Sequence, residues 1–250
     1  MTIIHAAFPG CAATAPRVRD IGSDDLEAAL RHGVDDFLAM PTRAIFISLI
    51  YPLVGVFVAL LAFGNDVLPM LFPLAAGFAL MGPFAAVGLY ELSRRRERGL
   101  DTSWNHAFTS LGRPAASALV KVGILLGVII LGWLAAAQGI YWALYGSDMP
   151  DTILGFVQEV LTTSRGWALI VLAVSIVSVP LLIERDVDAL TAVETSVAAF
   201  RQNPRTLPAW GFVVAGRLVL GSLPLFVGLA VVMPILGHAT WYLYERMVAD

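Results

Sequence analysis

Residues 206–244 read TLPAWGFVVAGRLVLGSLPLFVGLAVVMPILGHATWYLY, an apolar stretch whose one formal charge is Arg217. A helix rises about 1.5 Å per residue, so about 20 apolar residues cross a hydrocarbon core of about 30 Å. The stretch is too long for one crossing. Gly221-Ser222-Leu223-Pro224 is the natural place to break it, which gives two spans, about 206–223 and 225–244.

Working outward, four more apolar runs of near-spanning length precede it: about 44–63, 67–90, 115–137 and 167–183. Gly64-Asn65-Asp66 turns the first run back into the second. The composition of the whole chain agrees, with 58% hydrophobic and 14% charged residues in 250; soluble globular domains average roughly 45–50% and about 25%. A soluble enzyme and a disordered chain are excluded on this ground. A net charge of -3 leaves no basic surface for nucleic acid. The one cysteine, Cys11, cannot form an intrachain disulfide. Residues 1–22, with Pro9, Gly10 and Pro16, read as a flexible tail without the basic and apolar regions of a signal peptide, and 23–250 as a single membrane domain.

Cytoplasmic loops carry the excess of Lys and Arg. With the N-terminus inside and six spans, Arg165 is the one cation outside, and Lys121 and Arg217 lie within spans; all other arginines fall on the cytoplasmic side. Both termini are therefore expected in the cytoplasm of a bacterial inner-membrane protein.

Short amphipathic segments precede the first, third and fifth spans and read as helices on the cytoplasmic membrane surface. In the first, Ser23 suits the cap, and Leu26, Leu30, Val34 and Phe37 form an apolar stripe that stops at Pro41. In the third, Asp186 and Asp188 open the helix, and the stripe is Leu190, Val193, Val197 and Phe200, before Asn203-Pro204. The middle copy, Asp101 to Pro114 with Trp104, Phe108 and Leu111, is shorter and offset. The even-numbered spans echo each other as well. PLAAGFALMGP at 73–83 aligns without gaps on PLFVGLAVVMP at 224–234, with five of eleven positions identical and both prolines matched. The expected fold is thus an all-α bundle of six transmembrane helices and three amphipathic surface helices, built as a parallel internal repeat of surface helix plus two spans. Shared apolar composition is the competing explanation of the repeat.

Val18-Arg19-Asp20-Ile21, Gly33-Val34-Asp35-Asp36-Phe37 with Pro41 and Tyr51-Pro52, and above all Pro83-Phe84-Ala85-Ala86-Val87-Gly88-Leu89-Tyr90-Glu91-Leu92-Ser93-Arg94-Arg95 resemble the bacterial integral membrane proteins grouped as domain of unknown function 2189. The resemblance implies a polytopic inner-membrane protein. It brings no activity, cofactor or catalytic residue with it.

Ionisable residues inside a bilayer mark functional sites by default. Lys121 and Arg217 each lie about 9 Å from an interface by helical rise, close enough to snorkel; an anion or lipid-headgroup site is the sharper alternative. Glu91, Glu184 and Glu245 stand at the cytoplasmic ends of the even-numbered spans with arginine following at Arg94, Arg185 and Arg246. Pairing that fastens surface helices to the bundle is the plain reading, and an acidic ring at a channel mouth is the other. His238 in the sixth span could ligate haem, but no second intramembrane histidine accompanies it. No metal or nucleophile motif appears. Gly123 and Gly127 have the spacing of a close-packing helix face, and the six tryptophans fall mostly near interfaces, as anchors.

The expected function is a non-catalytic accessory, assembly or scaffolding component that needs no cofactor. The lipid bilayer is its environment, and a membrane-protein partner or a second copy is what it would hold. A small transporter or channel for a solute or ion is the alternative.

Overall fold

The computed structural model describes residues 16–62, 86–103, 105–107, 115–145 and 168–248. The elements among them are helices, with one isolated antiparallel bridge between Val18 and Val248. In chain order they are α1 (Ser23–Ala39), α2 (Pro41–Ser48), α3 (Ile50–Ala62), α4 (Val87–Glu97), α5 (Ala115–Tyr145), α6 (Ser178–Glu184, continuing helical residues 168–175), α7 (Ala189–Gln202), α8 (Thr206–Ser222) and α9 (Leu229–Met247).

α9 is the axis of the fold and packs against α1, α2, α3, α4, α6 and α8. Leu236, Ala239, Trp241, Leu243 and Tyr244 are buried along it, in one core with Leu89 and Tyr90 of α4, Leu181 and Leu182 of α6, and Trp210 of α8. Trp210 and Trp241 are 1% and 0% exposed, so these two indoles are core residues and not interfacial anchors. Their size explains it: each fills space between three or more helices, where burial of a large ring stabilises most.

α1 does more than lie on a surface. It runs along α9 with its small residues inward: Ala29 and Gly33 are buried, while Leu26, Leu30 and Phe37 are half-buried at the flanks and Val34 is exposed. α7 repeats the arrangement with Ala192, Ser196 and Ala199 buried and Leu190 exposed. The expected apolar stripes are therefore the shoulders of a narrower contact face, because only small side chains let two helix backbones approach closely. Counted back from Pro41 and Pro204, the buried pairs coincide: Ala29 with Ala192, and Gly33 with Ser196. Met40 and Asn203, one residue before each proline, are both C-caps in similar backbone conformations and both 4% exposed.

Helix starts follow local chemistry. α1 is capped at Gly22, whose N–H donates to the Asp25 carboxylate at 2.9 Å, in place of the expected Ser23 cap. Asp188 caps α7 by accepting from the Thr191 N–H at 2.9 Å. In the middle surface segment the described residues show a helical turn at 105–107, with Asp101 accepting from Ser103 N–H and hydroxyl; the remainder of 101–114 that carries Trp104, Phe108 and Leu111 lies outside the described residues.

The run expected as one span at 44–63 is two helices that part at Leu49, and α5 continues past 137 to Tyr145. The long C-terminal run breaks after Ser222, as its Gly-Ser-Leu-Pro sequence expects. The last helix begins at Leu229 and not 225, because Leu225 and Phe226 take positive φ values of 51° and 64°. A side chain at that backbone conformation is strained; Phe226 is held there by packing over Gly55, where a Cβ would meet its ring at 2.6 Å. Among the described residues no single helix is long and apolar enough to cross a membrane, while α1 and the stretch Pro41–Phe57, across α2 and the start of α3, pass together as a pair bent by 100°. The aligned segment 73–83, and with it the comparison of Pro73 and Pro83 to Pro224 and Pro234, lies outside the described residues.

Residues 18–22, expected to be the end of a flexible tail, are anchored. Arg19 N–H donates to Met247 O at 2.7 Å, Ile21 N–H donates to Asn203 Oδ1 at 2.8 Å, and Ile21 is 8% exposed. Phe46, Leu53, Phe57 and Leu60 on α2 and α3, Val128 and Leu131 on α5, and Phe212 and Leu220 on α8 are each at least 59% exposed. Exposed apolar surface on that scale marks a face that meets lipid or another protein segment.

Candidate functional site

The polar chemistry gathers at the end of α4, where Ser-Arg-Arg-Arg-Glu-Arg follows an apolar helix. This C-terminal end carries the negative pole of the helix dipole, which the arginines offset.

Ser93 is the centre of a buried chain. Its hydroxyl donates to Asp36 Oδ2 of α1 at 2.8 Å and lies 2.6 Å from His238 Nδ1 of α9. Arg96 also binds Asp36. A hydroxyl has one proton, and here it goes to Asp36, so the contact with His238 needs a proton on Nδ1. That assigns the neutral imidazole tautomer with its lone pair on Nε2. Ser93 and His238 are 0% and 1% exposed, and Nε2 has no hydrogen-bond partner among the described residues. The order carboxylate, hydroxyl, imidazole differs from a hydrolytic triad, in which the imidazole stands between the other two. With the hydroxyl wholly buried, it is a structural bond between α1, α4 and α9.

Glu91 is fully buried, held by Arg94 through Nε at 2.9 Å and Nη2 at 2.5 Å, with Arg95 3.6 Å away. Glu184 accepts from the Tyr244 hydroxyl at 2.5 Å and lies 3.5 Å from Arg185 and 3.8 Å from Arg98. Those two carboxylates meet arginine as the sequence expects. Glu245 does not: Arg246 turns to Asp25 at 3.9 Å, and Glu245 meets the carboxyl of Glu97 instead. The reason is helical position, since residues 241 and 245 face α4 while 242 and 246 face α1; His32 of α1 stacks on Tyr242 with ring centroids 3.7 Å apart. Glu245 lies in the last turn of α9, past the apolar run that ends at Tyr244, and burial together with Glu97 pushes its carboxyl up to about 9. Asp101 and Asp188, at the surface, are lowered by the hydrogen bonds that Ser103 and Thr191 donate to them.

Lys121 and Arg217 are exposed on α5 and α8, and neither forms an ion pair among the described residues. They are not brought together with each other or with His238. Gly127 has open space where a Cβ would stand, so among the described residues no helix packs closely on it. Among the described residues no group of three His, Cys, Asp or Glu is placed to hold a metal ion. A recess between α4, α6, α8 and α9 is lined by Tyr90, Leu172, Trp210, Val214, Leu218 and Met233, an almost wholly apolar surface.

Sequence reasoning named His238, Glu91, Glu184 and Glu245 but missed Asp36, Ser93 and Glu97. Asp36 is the inward position of α1, three residues after Gly33; a charge on the small-residue face was the signal. Ser93 and Glu97 share a face of α4 four residues apart.

No curated protein matches the chain, and no solved structure matches it. The family described as predicted integral membrane protein (DUF2189) is matched over residues 71–184, a stretch that includes the Gly-Pro-Phe to Arg-Arg motif and ends at Glu184. Over that stretch the chain carries the pattern of this integral membrane family, whose function is unknown.

Proposed function

We propose that the protein is a non-catalytic accessory or scaffolding component of the bacterial inner membrane, with six spans, cytoplasmic termini and a rigid cytoplasmic platform built from α1, α7 and the end of α4. The observation that carries this reading is the Asp36–Ser93–His238 chain with Arg96. Polar groups that a transporter would keep free for a solute are used here to tie a surface helix to two core helices. The matched buried positions of α1 and α7, and the matched caps at Met40 and Asn203, support descent of the two platform helices from one repeated unit. Such a platform presents a constant surface to a membrane partner or a second copy.

The test joins two measurements on one preparation. Reporters fused after Arg98 and Arg201 are expected to read cytoplasmic, and those at Asp66 and Asp151 periplasmic. Cross-linking in native membranes is expected to give one stoichiometric partner joined through α1 or α7, and reconstituted liposomes are expected to show no flux of protons or small ions above protein-free controls. Flux that disappears in His238→Phe at unchanged melting temperature would replace the scaffold by a transporter. That second reading has one observation in its favour: His238, whose Nε2 is an acceptor without a partner among the described residues, is linked through the Ser93 hydroxyl to Asp36, which is 14% exposed.

A further inference from the structure

The ends of α4 and α9 meet through two acidic side chains. Glu97 closes α4 and Glu245 lies in the last turn of α9; their carboxyls are in hydrogen-bonding contact, and the Trp241 indole donates to Glu97 Oε2 at 3.0 Å. Two ionised carboxylates have only acceptors to offer each other, so this contact exists when one of them keeps a proton.

The charges around the pair leave that proton in place. From α6, Glu184 faces Glu245 and adds a second negative field, while Arg185 and Arg98 lie against Glu184. From α4, Arg94 and Arg95 turn back to Glu91, and Arg96 turns to Asp36. From α1, Asp25 takes Arg246, and His32 stacks on Tyr242. No described arginine is ion-paired with Glu245. Just beyond the pair, Met247 O accepts from Arg19 N–H and Val248 bridges Val18, so the end of α9 also carries residues 18–22.

We propose that the proton between Glu97 and Glu245 is a pH-sensitive latch, which holds the last turn of α9 and the N-terminal segment bridged to it onto α4 and releases both when alkalinisation removes it. With the proton gone, two carboxylates in contact repel each other, and the nearby Glu184 adds to the repulsion. The Glu245 carboxyl, pushed up to about 9 by burial and then by Glu97, keeps the latch closed at neutral pH. The sign follows from the raised value: the stabilisation is complete in acid, below the unfolded pKa, and is lost as pH rises toward and through about 9. The latch does not depend on what the platform holds, and its test needs no partner.

The experiment uses the full-length protein in mild detergent between about pH 6 and about pH 10. After correction for the intrinsic pH dependence of exchange, hydrogen exchange at the amides of Arg19 and Val248 is expected to rise about tenfold across the transition, with a parallel fall in melting temperature. Glu245→Gln and Glu97→Gln supply a permanent amide donor, so both are expected to abolish the transition. Glu184→Gln removes a neighbouring charge and is expected to keep the transition while moving its midpoint to lower pH. An alkaline transition undiminished in both of the first two variants overturns the latch, as does its absence from the wild type. Should either variant fail to fold, infrared difference spectra of the wild type decide: a protonated-carboxyl band must disappear on alkalinisation with the same midpoint as the exchange.

Discussion

Gly33 of α1 lies against Ala239 of α9 so closely that a Cβ at residue 33 would stand 2.8 Å from the Ala239 Cβ, and closer still to the Ile235 carbonyl oxygen. Both neighbours belong to α9, against which six of the other helices pack, and a backbone oxygen cannot rotate away. Gly33→Ala therefore forces α1 off α9 and is expected to cost about 1–3 kcal/mol, as overpacked sites do. The Asp36–Ser93 bond three residues on should weaken with it. Gly127→Ala, where nothing among the described residues stands within 4 Å, is the control and should be neutral or slightly stabilising. Melting temperature in detergent checks both, and equal effects would remove the close contact.

Glu91 and Arg94 make the second prediction. Both are buried, at 0% and 4% exposure, with two hydrogen bonds between them. Replacing one partner leaves the other charge without compensation, which typically costs about 3–5 kcal/mol. Glu91→Gln is expected to lower the melting temperature sharply at neutral pH. Glu245→Gln should be neutral in acid and increasingly stabilising as pH rises from the ordinary carboxylate range to about 9, because it removes a carboxylate that no described arginine pairs. Two glutamates that look alike in sequence thus respond with opposite signs.

That contrast marks how far the sequence can be read. The break at Gly221–Pro224, the Asp188 cap and the arginine pairing of Glu91 and Glu184 all follow from local chemistry within a few residues. What was hidden depends on which face of a helix meets which neighbour. The stripe Leu30, Val34 and Phe37 is the largest apolar signal in α1, yet the contact face is Ala29, Gly33 and Asp36, since close approach selects small side chains and periodicity scales reward large ones. Ser93 and Glu97 look like parts of a charged surface run until α9 brings His238, Trp241 and Glu245 against them.

The buried chain gives the third prediction. Ser93→Ala removes the hydroxyl that both Asp36 and His238 use, leaving the Nδ1 proton of a buried imidazole without an acceptor, a loss of about 1–3 kcal/mol. His238→Phe removes that donor together with the unpartnered Nε2 and leaves Ser93 bonded to Asp36. It is expected to be the milder change. The double variant should be less destabilised than the two single effects added, because the orphaned donor is gone. Nitrogen NMR of the wild-type imidazole should report the proton on Nδ1; a proton on Nε2 would reverse the order of the two variants.

Asn203 is where the N-terminal segment is decided. Its Oδ1 accepts from Ile21 N–H at 2.8 Å, and its Nδ2 donates to Arg19 O at 3.1 Å and Ala199 O at 3.2 Å. One side chain thus caps α7 and holds residues 19–21, and Met40, its counterpart before Pro41, offers no such groups. Asn203→Ala leaves the Ile21 amide buried without a partner and is expected to cost about 1–3 kcal/mol, with faster hydrogen exchange at Ile21. Asn203→Asp separates the two halves of the role. It keeps the acceptor for Ile21 but sets a carboxylate oxygen against the Arg19 and Ala199 carbonyls, so Ile21 should stay protected while the end of α7 frays. Loss of protection at Ile21 in the Asp variant would mean that the donated bonds, and not the accepted one, hold the segment in place.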